Sequence, residues 1–231
     1  MAIRSNNKNN ENEEEIIEVA AAPISSGDSA QDFFEKNKIA ILGGIAAIII
    51  LAIAFSAYKY AYKMPREKAA AEELIYAERQ FLQDSFDLAL ENPGGGFDGL
   101  LGIIDSYGGT KAGNLAKYYA GVSYLNLGRF EDAIDYLKDF SPSGSFTPIM
   151  KHGIIGDAYG ELQDFDSAIS SYKKAISNDN DLLTPYYANK LGVLMMKQGD
   201  ASGAKKYFEM IKKDYPTSNE SASAEYYLNQ G

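Results

Sequence analysis

Five residue positions recur along the chain at a nearly fixed spacing, and that spacing constrains the fold more tightly than any other feature. Gly121, Tyr124, Phe130, Ala133 and Leu137 are answered 35 positions later by Gly156, Tyr159, Phe165, Ala168 and Tyr172. At a further offset of 36 stand Gly192, Met195, Ala204 and Phe208, with a turn glycine at Gly199. A period between roughly 20 and 50 residues marks units that cannot bury an apolar face alone and succeed by stacking. Each unit reads as two helices, A and B. A small residue lets A approach B; a turn, an aromatic and an alanine at the tightest crossing follow. Residues beyond the basic period fit best in Ser141-Pro142-Ser143-Gly144-Ser145 and Asn178-Asp179-Asn180-Asp181, where turn formers cluster.

In detail, Gly121 to Leu137 resembles the tetratricopeptide-repeat (TPR) pattern, whose base period is about 34 residues. Pro216 stands where such a repeat places its helix-ending proline. Weaker units flank the three. Ile103-Ile104-Asp105-Ser106-Tyr107 parallels Ile211-Lys212-Lys213-Asp214-Tyr215, and Ala116-Lys117-Tyr118-Tyr119-Ala120 parallels Ala224-Glu225-Tyr226-Tyr227-Leu228. The expected class is all-α: an N-terminal disordered tail, a single transmembrane helix, then a TPR α-solenoid. The boundaries read as an acidic tail over 1–32, an anchor with its flanks over 33–63 and a helical domain over 64–231. That domain divides into a degenerate first unit (66–107, with Asn92-Pro93-Gly94-Gly95-Gly96 as its loop), units near 114–145, 149–181 and 185–217, and a capping helix over 220–230.

The anchor is Ile39 to Ala57, apolar except for Ser56 and without charge. As a helix it spans roughly 28 Å, close to the hydrocarbon thickness of a bilayer of about 30 Å. Only a helix satisfies its own backbone in lipid. Ala54-Phe55-Ser56 resembles a cleavage site, but the long acidic segment before the run favours an uncleaved anchor over a signal peptide. Phe33 and Phe34 before the run, and Tyr58, Tyr60 and Tyr62 after it, suit the interface. Lys36 and Lys38 flank one side, and Lys59, Lys63, Arg66 and Lys68 the other. Charge bias alone keeps the large domain in the cytoplasm, yet long domains translocate despite their charges, so charge leaves the topology open. Ahead of the anchor, Asn6 to Asn10 and the acids Glu11, Glu13, Glu14 and Glu15 argue for disorder. Ile16–Ala22 is at most a transient helix. The first repeat helix, Arg66 to about Leu82, is expected to follow the anchor with a break near Met64-Pro65.

A short tail, one anchor, the Met64-Pro65-Arg66-Glu67-Lys68-Ala69 junction and degenerate repeats resemble the ancillary SecYEG translocon subunit family of bacterial inner membranes. Tyr107-Gly108-Gly109-Thr110-Lys111-Ala112 is similar to that family as well. The resemblance covers nearly the whole chain in layout, while its specific motifs are few. It implies a single-pass inner-membrane protein with a cytoplasmic N terminus and periplasmic repeats. The partners it implies are the SecYEG translocon, a periplasmic peptidyl-prolyl isomerase chaperone and exported polypeptides, with membrane lipid around the anchor. The charge count departs from that topology, whereas the acidic tail suits the side that is not exported.

No catalytic constellation, cofactor site or metal site is expected. Cysteine is absent, which removes disulfides, thiolate metal sites and cysteine nucleophiles. A net charge of −10 without a basic patch argues against nucleic acid. His152, the single histidine, falls at a position of helix A that usually packs. Glu13-Glu14-Glu15 reads as a solvated run. Gly94-Gly95-Gly96 lacks the strand and Lys-Ser/Thr of a phosphate loop; Ala40, Gly44 and Ala47 line up only loosely as a face for another helix, and plain lipid-facing residues are the better reading of Gly43-Gly44. The sharper expectation is a partner-binding groove along the A helices: Tyr118, Val122 and Asn126, then Met150, Asp157 and Glu161, then Tyr186, Asn189 and Lys197. Aromatic and Met side chains with a few polar groups suit an extended or helical segment. The function expected is non-enzymatic protein interaction, at the Sec translocon or, alternatively, as a scaffold of another cell-envelope assembly complex.

Overall fold

In the computed structural model of the chain, residues 26–230 are described, and their regular structure is helical throughout. The asparagine and glutamate runs and Ile16–Ala22 lie outside the described residues. Two compact units divide between Ser56 and Ala57. The first contains helix α1, Ser26–Ala57, which begins ahead of the expected anchor boundary so that Ser26 to Asp32 are helical. Ile39, Ile48 and Leu51 lie on different faces of α1 and are all exposed. This helix is long and apolar enough to cross a membrane.

The second unit opens with a π-helical turn, Tyr58–Lys63, followed by α2, Met64–Phe81, with Pro65 in its first turn. Proline has no N–H and its ring opposes the carbonyl four residues back, so the irregularity falls before Pro65. The expected break is therefore this π turn. The first unit's second helix is split into α3, Phe86–Glu91, and α4, Leu100–Tyr107. The glycine loop interrupts helix B instead of joining A to B. Gly94, Gly95 and Gly96 take φ of 91°, 70° and 77°, a left-handed run that no helix accommodates.

Three regular pairs follow: α5 (Lys111–Asn126) with α6 (Phe130–Asp139), α7 (Phe146–Glu161) with α8 (Phe165–Ala175), and α9 (Leu183–Lys197) with α10 (Ala201–Asp214). Helix α11, Ser221–Leu228, closes the stack. Each helix from α4 onward packs on its successor. The A helices also touch across pairs, α5 on α7, α7 on α9 and α9 on α11, whereas α6, α8 and α10 do not touch one another. The A helices thus form the inner layer.

The crossings explain the repeat. A Cβ at Gly121 would stand 2.5 Å from Leu137 Cγ; at Gly156 and Gly192 it would stand 2.7 Å from the rings of Tyr172 and Phe208. Ala133, Ala168 and Ala204 are fully buried beside these contacts. Thr110, Asp164 and Asp200 start α5, α8 and α10 by accepting from the backbone N–H three residues on. The A-to-B turn needs a left-handed residue, supplied by Gly128 and Gly199. In the middle pair that position is Gln163, held at φ 60°.

The first repeat unit lacks such a glycine notch; Ala70, Leu74, Ala77, Leu90, Leu100 and Ile103 bury in one apolar cluster with Ala112 and Ala116 of α5, and polar contacts add to it. Arg66 donates to the Ser106 carbonyl near the end of α4 at 2.5 Å, and Glu67 accepts from the Lys111 N–H at the start of α5 at 2.9 Å. Glu78 accepts from the Tyr119 hydroxyl at 2.5 Å.

Two outcomes follow for stability, both measurable by urea denaturation. Gly156→Ala is expected to lose up to about 2 kcal/mol, because overpacking against Tyr172 exceeds the roughly 1 kcal/mol gained in helix propensity. Gly160→Ala, with nothing within 4 Å, is expected to gain about 0.5–1 kcal/mol. Separately, Gln163→Gly should stabilise by about 0.5–1 kcal/mol by relieving the left-handed strain; a loss there would refute the strain argument.

Candidate functional site

The inner layer presents two adjoining clefts where the A helices end. One, of about 600 Å³, lies among Leu125, Asn126, Phe130, Asp157, Glu161 and Lys190. The other, of about 460 Å³, lies among Phe165, Asn189, Lys190, Val193, Leu194 and Lys197. Gly160, Tyr172 and Lys190 belong to both. These clefts follow from the fold. Each A helix ends in a tight turn, so the side chains of its last turns and the first aromatic of helix B face a shared hollow.

At the junction of the clefts, Asp157 Oδ1 accepts from the Tyr172 hydroxyl at 2.6 Å and from Lys190 Nζ at 2.7 Å. The Lys190 ammonium also lies over the Tyr186 ring at 5.0 Å and the Tyr187 ring at 6.0 Å. Burial works against the Lys190 charge, yet the hydrogen bond and charge of Asp157 outweigh it and hold the ammonium above the ordinary lysine range. Burial first, then the Asp157 charge, push the Tyr172 hydroxyl well above the ordinary tyrosine range, so it donates steadily. Tyr187 is raised by the same two causes.

Five of the nine expected groove residues line the clefts: Asn126, Asp157 and Glu161 in the first, Asn189 and Lys197 in the second. Asn126 donates to the Val122 carbonyl at 2.8 Å, and Asn189 accepts from the Ser223 hydroxyl at 3.0 Å. Glu161 and Lys197 are exposed and make no ion pair among the described residues. Tyr186 is exposed and meets Tyr187 edge-on at 5.0 Å. Tyr118, Val122 and Met150 lie outside both clefts, packed against Ile134, Leu137, Ile154, Ile155 and Ala158. All three are half-buried against that cluster.

Among the lining residues outside the nine expected, Tyr172, Lys190 and Phe130 matter most for the chemistry of the clefts. Tyr172 is legible as a crossing residue, but its hydroxyl reaches past the crossing. Lys190 stands one turn from Tyr186 on the same face, a signal that could have found it. Phe130, the aromatic after the turn, reads as a packing position. His152 is half-buried on α7; burial, then Lys151 and Lys174, hold it below the ordinary histidine range. Among the described residues, no group of three or more His, Cys, Asp or Glu is placed to hold a metal ion.

Residues 115–141 and 190–218 match one family model described as tetratricopeptide repeat, and residues 152–182 match a second with the same description. Among solved structures, the chain is similar to the nearly identical TPR-like repeats of a Podosopora anserina protein assigned as a kinesin light chain. The TM-score is 0.51 at 12% identity, over 71% of this chain and 85% of that one. At that identity the likeness establishes the fold alone. A comparison with curated protein sequences gives no match.

The Asp157–Lys190 pair has a measurable signature. A double-mutant cycle with Asp157→Asn and Lys190→Met should give a coupling of about 1 kcal/mol at neutral pH. Lys190 carries a raised value in the folded state, so the contribution is complete below the unfolded lysine value near 10.5. It is lost as the pH climbs through the higher folded value. Coupling that instead disappears on acidification from neutral to pH 6 would refute the assignment.

Proposed function

We propose that this chain is a membrane-anchored, non-enzymatic TPR interaction protein whose inner clefts hold a polypeptide segment. We further assign it as an accessory subunit of the Sec translocon in a bacterial inner membrane. Its N terminus is then cytoplasmic, and its repeats lie in the periplasm beside a peptidyl-prolyl isomerase chaperone and exported chains. TPR domains bind protein partners, and the observation that carries the reading here is the pair of clefts meeting at Asp157, Tyr172 and Lys190. Their length across three helix pairs suits an extended or helical segment, with apolar walls for side chains and polar ends for orientation. The apolar α1 supports the anchor. The layout around Met64 to Ala69 and Tyr107 to Ala112 supports the translocon assignment.

The test places a photo-crosslinking residue at Asn126, in the full chain expressed in cells. Adducts with exported polypeptides or a periplasmic chaperone, and co-purification of the translocon channel in mild detergent, are the expected results. Lys197→Glu, a change at an exposed and unpaired site, should lower adduct yield by about fivefold while stability moves by no more than about 0.5 kcal/mol. A reporter fused after Gly231 should score periplasmic. A cytoplasmic score removes the export reading, and adducts confined to another envelope complex favour the scaffold reading instead.

A further inference from the structure

We infer that the π-helical turn Tyr58–Lys63 is a collar that binds the headgroups of anionic phospholipids. The inference rests on the proposed anchoring of the chain in a membrane and adds to it a preference for lipid charge. Three independent observations carry it.

The first is charge. The chain has 32 acidic residues and a net charge of −10, yet no acid occurs between Glu35 and Glu67. Lys59 and Lys63 lie within that gap, and neither makes an ion pair among the described residues. Just beyond the gap, Lys68 pairs with Glu72. Arg66 is likewise committed, to the Ser106 carbonyl and the Tyr107 ring. Between the apolar run and Pro65, Lys59 and Lys63 are the cations, and neither is paired with a carboxylate among the described residues.

The second is exposure. None of the residues of the turn is buried. Tyr58, Tyr60 and Tyr62 are 55%, 63% and 52% exposed, although the repeats bury tyrosines such as Tyr124, Tyr172 and Tyr187 almost completely. A ring of half-apolar, half-polar side chains with no protein to cover it matches a layer that is apolar on one side and wet on the other. Tyr58 and Tyr62 lean together at 5.6 Å, and Lys59 lies over the Tyr60 ring at 5.5 Å. The Lys59 ammonium therefore sits beside an aromatic ring, an arrangement suited to a headgroup layer.

The third is position. The turn follows the apolar run Ile39–Ala57 in sequence without an intervening residue, where the headgroup layer begins if the run spans the bilayer. Its rare hydrogen-bond pattern spreads six residues over little more than one turn, so Tyr58 and Tyr62 share one face, Lys59 and Lys63 a neighbouring one, and Tyr60 a third. A headgroup layer surrounds a spanning helix on all sides; a protein partner covers one face. The geometry points to lipid.

The test uses the full chain in nanodiscs of mixed phosphatidylcholine and phosphatidylglycerol, with lipids that remain bound on release counted by native mass spectrometry. Wild type should retain phosphatidylglycerol over phosphatidylcholine. Each of Lys59→Gln and Lys63→Gln should reduce that enrichment by about fivefold, from the attraction of one basic side chain to an anionic surface. Raised salt should reduce it as well. Equal enrichment in wild type and the double variant overturns the collar. Flotation with vesicles of phosphatidylcholine alone reports the anchor separately. Wild type that floats but shows no preference refutes the collar and leaves the anchoring intact, while wild type that fails to float refutes both. Because both lysines are exposed and unpaired, the helical circular dichroism of the variants should be unchanged.

Discussion

At Gly121, Gly156 and Gly192 the absence of a Cβ lets a large side chain of helix B lie directly against the backbone of helix A. Leu137, Tyr172 and Phe208 fill these notches, and any added atom would stand within 2.7 Å of them. Interiors packed to crystal-like density leave no slack for a different approach, so the notch fixes how close A lies to B. Once that distance is fixed, Ala133, Ala168 and Ala204 become fully buried and successive A helices come into contact. The clefts are the consequence, since they form where inner helices end and their turns splay. Tyr172 shows the linkage within one side chain: its ring fills the Gly156 notch, and its hydroxyl holds Asp157.

The same constraint accounts for what could be read from the sequence. Close packing demands small residues at fixed places, so the three regular pairs announce themselves by spacing alone. Where the notch is missing, spacing says less: it marks the end of the unit's helix B by the parallel of Ile103–Tyr107 with Ile211–Tyr215 but not how its helices meet. In the first unit Arg66, Glu67 and Glu78 reach across to α4 and α5, and no period encodes such contacts. Its glycine loop reads as a link between helices, though three left-handed residues break helix B at that point. Gln163 is invisible for a related reason, because the turn it occupies is legible only where glycine occupies it. In the site, register identified positions that face inward but not which of them neighbours cover. Tyr118, Val122 and Met150 are spent on packing, while Lys190 pairs with a carboxylate 33 residues away that no local pattern connects to it.

The polar seam of the first unit is well matched to its setting. Arg66 meets the carbonyl end of α4, and Glu67 meets the N–H end of α5, so each charge faces the helix end of opposite polarity. Adjacent residues thus straddle one turn and hold two helices at once. The seam lies beside a buried apolar cluster that Ala70, Leu74, Ala77, Leu100 and Ile103 form with Ala112 and Ala116 of α5.

The electrostatics of the clefts bear on how selective they can be. Asp157 and Lys190 satisfy each other, and that pair orients side chains without presenting net charge. What a bound segment meets is Glu161 at one end, Lys197 at the other, and aromatic or aliphatic walls between them. Exposed charges of this kind each contribute little, on the order of 1 kcal/mol or less. Discrimination then comes from the pattern of a segment, basic toward α7 and acidic toward α9 with apolar side chains between, and not from one dominant contact. A groove built this way tolerates many sequences at modest affinity.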